Sequence, residues 1–218
     1  SLEQKAKFSV TDFCQMQLDL TDLRAAQLLP ALLGVLRARH DPDVQLAVQL
    51  LEAWDQRATV ESGAACLYYP FLDRFWPGKF MRDALQDDLI RLLPAAAPGL
   101  NRFDIASFTR AGSPWLAHGE LLSKTVCAEM SEVVKRVKKS LGADPQQWRW
   151  GDLHKITFAH RLHKHDPWQA MRVGPDEIGG SATTLAMAMH MGPGPGVADI
   201  SDGEIACRVF HGPAYRLV

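Results

Sequence analysis

The chain has 218 residues, of which 47% are hydrophobic and 22% charged, an ordinary globular balance that supports a core burying roughly 70% of the surface exposed when unfolded. A formal net charge of −1 gives no general attraction to nucleic acid or to an acidic membrane. No apolar run of about 18 residues is present, and Ser1-Leu2-Glu3-Gln4-Lys5 is unlike the start of a signal peptide.

The first two thirds read as helices. Ser9 followed by Asp12 is an acidic variant of the capping box, and Val10, Phe13, Cys14 and Leu18 then share one helical face. Ala25, Leu28, Leu29, Leu32 and Leu36 repeat that period, with Pro30 expected either to kink the helix or to begin a new one. Asp41 caps the next segment with Pro42 in its first position, and Val44, Ala47, Val48 and Leu51 supply its apolar stripe. Ser62 can cap a helix carrying Ala65, Tyr68, Tyr69 and Leu72, residues 83–93 are again periodic, and residues 95–114 read as irregular. The longest predicted helix starts at Gly119. It sets Leu122, Val126, Met130, Val133, Val137 and Leu141 on one side and Glu132 four residues before Arg136 on the other, and Gly142 ends it. Asp144-Pro145 opens a short helical turn.

After Trp150 the apolar period drops from about 3.6 to 2. Ile156 and Phe158 mark one strand. Residues 183–191 alternate strictly, which predicts a strand whose Leu185, Met187, Met189 and Met191 face the sheet core, opposite Ala186, Ala188 and His190. Residues 204–210 and 214–218 also read as extended, separated by His211-Gly212-Pro213, a bulge or a tight turn, and residues 192–196 read as a connector. The resulting expectation is an α+β chain: a helical subdomain over residues 1–150, then a β-rich segment over residues 151–218 with a few strands of an incomplete antiparallel sheet. The last apolar run lacks a turn or polar tail, so the chain is expected to be an excised piece with strand edges open to self-association.

Candidate sites are few. Cys14, Cys66, Cys127 and Cys207 form no C-x-x-C pair and are expected to be free thiols, mostly buried. His154, His160, His163 and His165 are close enough in sequence to suggest zinc, but His163-Lys164-His165 reads as a solvated loop, and His154 and His160 fit hydrogen bonding where helices meet sheet. Asp199, Asp202, Gly203 and Glu204 lack the ligand spacing of a calcium loop. Lys135, Arg136, Lys138 and Lys139 suit a helix C-terminus without any nucleic-acid partner. No catalytic, cofactor-binding or metal-binding residue is assigned.

Two regions carry a family resemblance. One is Phe8-Ser9-Val10-Thr11-Asp12-Phe13, then Gln15-x-Gln17-x-Asp19, Leu28-Leu29-Pro30-Ala31-Leu32 and Leu51-Glu52-Ala53-Trp54-Asp55. The other is Trp148-Arg149-Trp150-Gly151-Asp152-Leu153-His154, then Phe158-Ala159-His160, Gly179-Gly180-Ser181-Ala182-Thr183 and Gly212-Pro213-Ala214-Tyr215-Arg216. In this order they resemble an internal part of the β subunit of the penicillin acylases. The resemblance implies a piece of a four-layer αββα fold, an acyl-amide hydrolase acting on a penicillin, an acyl homoserine lactone or another N-acyl compound, and a periplasmic or extracellular parent. It also implies partners in the α chain and the N-terminal part of the β chain, and a structural calcium bound elsewhere in the parent. Members cleave with the amino-terminal serine of the processed β chain, usually followed by asparagine. Here Leu2 and Glu3 follow Ser1, so Ser1 is read as a boundary residue and the chain by itself as inactive. The rival reading is a free-standing helical module that binds a protein partner.

Overall fold

The computed structural model describes residues 7–75, 119–159, 162, 171–191 and 207–212. Expectations for Ser1, residues 83–93 and 95–114, His160, His163, His165, residues 192–196, the Asp199 to Glu204 cluster and residues 214–218 lie outside the described residues.

The first helix, α1, runs Val10–Gln17 and its capping box is complete: the Ser9 hydroxyl accepts from the Asp12 amide at 3.2 Å, and Asp12 accepts from the Ser9 amide at 2.7 Å. None of its residues is buried, and Val10, Phe13 and Leu18 present the apolar face outward. Helix α2, Leu23–Leu36, is continuous through Pro30, so the proline does not begin a new helix. The proline sits on the exposed side, and its cost of about 3 kcal/mol is outweighed by Leu28, Leu29, Leu32 and Leu33, which bury about 2 kcal/mol each. Helices α3 (Pro42–Glu52) and α4 (Ala65–Phe75) follow, capped as expected by Asp41 and by the Ser62 hydroxyl.

Helix α5, Gly119–Leu141, is the spine of this layer and packs against α2, α3 and α4. Its buried stripe includes Leu122, Val126, Met130, Val133 and Val137, while Lys138 reaches Asp43 of α3 at 2.5 Å and Arg136 pairs with Glu132. A single turn at Pro145–Gln147 and the short helix α6, Trp150–Leu153, lead into the sheet.

Four strands are described: β1 (His154–Ala159), β2 (Arg172–Glu177), β3 (Met189–Met191) and β4 (Cys207–His211). Their order is β2-β1-β4-β3. β1 pairs antiparallel with β2 but parallel with β4, so the sheet is mixed and the antiparallel expectation is corrected. The parallel pair needs a long crossover, which residues 160–206 provide. The α+β assignment holds: one hydrophobic cluster joins the helices to Trp148, Trp150, Leu153 and Cys207 at the sheet.

The long strand expected over residues 183–191 is also corrected, since only Met189–Met191 pairs. Upstream, the Thr184 hydroxyl accepts from the Ser181 amide at 2.9 Å and donates toward Ala186 O at 3.0 Å, a side-chain turn that displaces the ladder. The Met stripe is not the core face. Ala186 and Ala188 are buried, Met187 and Met189 are half-buried and Leu185 is exposed. Trp150 and His154 meet this segment through the Trp150 bond to Gly180 O and the His154 contact with Ala188 O.

Candidate functional site

Parts of the two regions that carry the family resemblance meet at one joint between helices and sheet, and Asp22, which lies outside the quoted motifs, ties it. This carboxylate is fully buried and caps α2 by accepting from the Ala25 amide at 2.9 Å. Its other oxygen accepts from the Tyr69 hydroxyl at 2.9 Å and from the Thr183 hydroxyl at 2.5 Å. One side chain thus ties α2, α4 and the loop after β2. Burial, and then the negative charge of Asp22, push the Tyr69 phenol far above its ordinary range, so it remains a donor.

Five residues of the Trp148 to His154 run make structural contacts. Trp148 donates its indole N–H to Gly142 O at 2.8 Å, fastening the end of α5. Arg149 grips Glu177 of β2 through two bonds of 3.1 and 2.8 Å. Trp150 donates to Gly180 O at 3.1 Å and stacks on His154 with ring centroids 4.4 Å apart. Gly151 donates to Val60 O at 2.9 Å, and a Cβ there would stand 2.8 Å from the Glu177 carboxylate.

The glycine pair answers from the other side. Gly180 donates to Ala58 O at 2.7 Å with φ of +93°, and a Cβ on it would fall 2.1 Å from Ala186 O. Gly180→Ala is therefore expected to cost about 2 kcal/mol through strain and displaced backbone, read as a lowered unfolding midpoint in urea. A midpoint equal to that of the parent chain would show that the loop relaxes freely.

His154 lies fully buried at the centre, as expected for a hydrogen-bonding junction residue. Its Nδ1 is 2.7 Å from Ile178 O and its Nε2 is 3.1 Å from Ala188 O. Two facing carbonyls favour an imidazolium. Burial foremost, and His190 with its ring centroid 4.9 Å away, outweigh them and lower the pKa to about 4. The ring is neutral near pH 7, and the shorter contact places its one proton on Nδ1.

Three polar groups of this constellation are committed to structure. Among the described residues, Asp22 is engaged on both oxygens, Tyr69 does not ionise in the neutral range, and both nitrogens of His154 face backbone carbonyls. The described hydroxyls that meet a carboxylate do so in caps, turns and layer contacts: Thr183 with Asp22, Thr21 with Asp19 and Ser9 with Asp12. All four cysteines are free thiols, three of them buried, and burial foremost, then the Asp152 carboxylate, raise the Cys66 thiol well out of the reactive range. No group of three or more histidine, cysteine or acidic side chains among the described residues could hold a metal ion, and no described helix is long and apolar enough to cross a membrane. Sequence reasoning missed Asp22. The available signal was an aspartate directly before an apolar period, Asp22-Leu23-Arg24-Ala25, which marks a helix N-cap.

The fold and the joint define an α+β chain in which buried polar groups lock a helical layer to an open mixed sheet. The chain matches the penicillin amidase family over residues 1–218, and it belongs to that family. The family's activity, hydrolysis of acyl amides, is therefore that of the protein this chain represents. No curated protein matches the chain.

Proposed function

We propose that this chain is a scaffold portion of an acyl-amide hydrolase whose cleaving centre is assembled from residues outside it. The observation that supports this reading is the joint: among the described residues its Asp22, Tyr69 and His154 are committed to hydrogen bonds that tie helices to sheet. The chemistry explains the division. A serine hydroxyl is a weak nucleophile, and the free α-amino group of a processed terminal serine, with a pKa near 8, can act as its base. Backbone and side-chain donors then stabilise the oxyanion. Such a centre requires a specific terminus, which the α chain and the N-terminal part of the β chain would frame. A structural calcium, where present, would sit in those parts.

Two exposed apolar surfaces support docking onto the remainder of the acylase. Val10, Phe13, Leu18 and Leu23 form one, with exposures of 42–72%. The other includes Phe158 and its cross-strand partner Val173, together with Met171. Hydrophobic side chains grouped in this way mark contact surfaces. In isolation the same strand edges would favour pairing between copies. The substrates are N-acyl compounds such as penicillins or acyl homoserine lactones, and the working compartment is periplasmic or extracellular. Exposure of the chain to a serine-acylating sulfonyl fluoride, followed by intact mass measurement, tests this reading. No adduct is expected, and stoichiometric modification of Ser1 would overturn it.

A further inference from the structure

A cavity of about 550 Å3 opens between α5 and the α2–α3 connection, on the part of the helical layer lined by Arg39, His40 and Lys124 and away from the residues of the joint. Its α5 wall is one stripe, Lys124, Cys127, Ala128, Ser131 and Lys135, which extends about 16 Å at 1.5 Å per residue. Facing it are Arg39, His40, Asp41 and Val44. The size falls within the range of small-molecule sites, roughly 300–1,000 Å3.

The charges in the cavity are unbalanced. Several cations elsewhere on the described surface are paired: Arg37 with Glu52, Arg136 with Glu132, Lys138 with Asp43 and Arg149 with Glu177. Arg39, Lys124 and Lys135 are exposed, and none of them forms an ion pair among the described residues. The single carboxylate in the lining, Asp41, is occupied in capping α3: one oxygen accepts from the Asp43 and Val44 amides at 2.9 and 3.1 Å, with the Ser131 hydroxyl at 3.4 Å. Three cations thus face one carboxylate in a concavity, on a chain whose formal charge is −1. A concave wall of one sign raises the local concentration of counter-ions.

We propose that this cavity binds a small organic phosphate. With Asp41 counted, the lining carries a charge of about +2, which a monocarboxylate would only half match, whereas a phosphate ester brings two charges and several acceptor oxygens. Val44, Ala128 and Cys127 supply an apolar floor for the organic part of the ligand. His40 adds a further donor at the rim. The inference is independent of the amide-hydrolase reading, because the cavity uses none of the residues of the joint.

The test is titration of the full chain with inorganic pyrophosphate by calorimetry at about 50 mM salt, where the Debye length of more than 10 Å preserves the field. Saturable binding with Kd below about 1 mM is expected. Arg39→Ala and Lys135→Ala should each weaken it at least roughly tenfold, while Arg37→Ala, paired outside the cavity, should leave it within about twofold. All three positions are exposed, and an unchanged unfolding midpoint confirms that each variant is folded. Vesicles containing phosphatidic acid form a second arm, which separates a soluble phosphate from a lipid headgroup. No saturation by pyrophosphate, an equal effect of Arg37→Ala, or binding to vesicles alone would each overturn the proposal.

Discussion

Asp22→Ala is expected to destabilise the chain by about 3–5 kcal/mol, seen as a large fall in the urea unfolding midpoint with an unchanged slope. The substitution removes the cap of α2, a loss of about 1 kcal/mol, and leaves the buried Tyr69 hydroxyl without its acceptor. Thr183, being exposed, recovers its bond from water and contributes less. Asp22→Asn retains an acceptor for the cap and for one hydroxyl, so its cost should be smaller, about 1–2 kcal/mol. Coupling supplies the sharper criterion. In a double-mutant cycle, Asp22→Ala and Tyr69→Phe should be non-additive by about 1 kcal/mol or more. Additive losses would show that the carboxylate serves α2 alone and does not tie the layers together.

The second large effect is a loss of stability in acid that depends on His154. Its folded pKa is lowered to about 4, below the ordinary value near 6.5. Above pH 6.5 the ring is neutral in both states and the full stability is present. As the pH falls from 6.5 to 4 the unfolded chain takes up a proton that the folded chain refuses, and on the order of 3 kcal/mol is lost. Below about pH 4 the folded ring also protonates, and this contribution changes no further. Unfolding midpoints at pH 7.5 and 4.5 should therefore converge in His154→Gln relative to the parent chain. An equal separation in both proteins would mean that the two carbonyls, Ile178 O and Ala188 O, already hold an imidazolium.

The helical layer was legible because each cap and stripe is local. Ser9 with Asp12, Asp41 with Pro42, and the Leu122 to Val137 stripe lie within one or a few turns, and periodicity reports them directly. Pro30 begins no new helix because buried leucines on either side hold α2 together, which a residue-level rule does not report. The sheet was harder to read. Strict alternation over residues 183–191 satisfies the strand criterion, yet Thr184 turns the backbone on itself and Gly180 approaches Ala186 too closely for any side chain. β2 was missed because Arg172–Glu177 is exposed throughout and contains Pro175, so it carries no apolar signal. The pairing of β1 with β4 is set by residues more than 50 positions apart, which no local pattern encodes.

The joint was half legible. The Trp148 to His154 and Gly179 to Thr183 runs stood out as family-like, and the structure gives them a physical reason: a bidentate arginine, two indole donors and glycines at close backbone approaches. The contacts of Asp22 with Thr183 and Tyr69, 161 and 47 residues away in sequence, belong to the tertiary fold alone.

Turnover of a chromogenic acyl amide by the purified chain, measured beside the complete acylase under the same conditions, is the most direct test of whether the family's chemistry resides here. The account predicts release of the chromophore by the complete enzyme and only the uncatalysed background with the chain. Saturable turnover by the chain, abolished in Ser1→Ala, would contradict it.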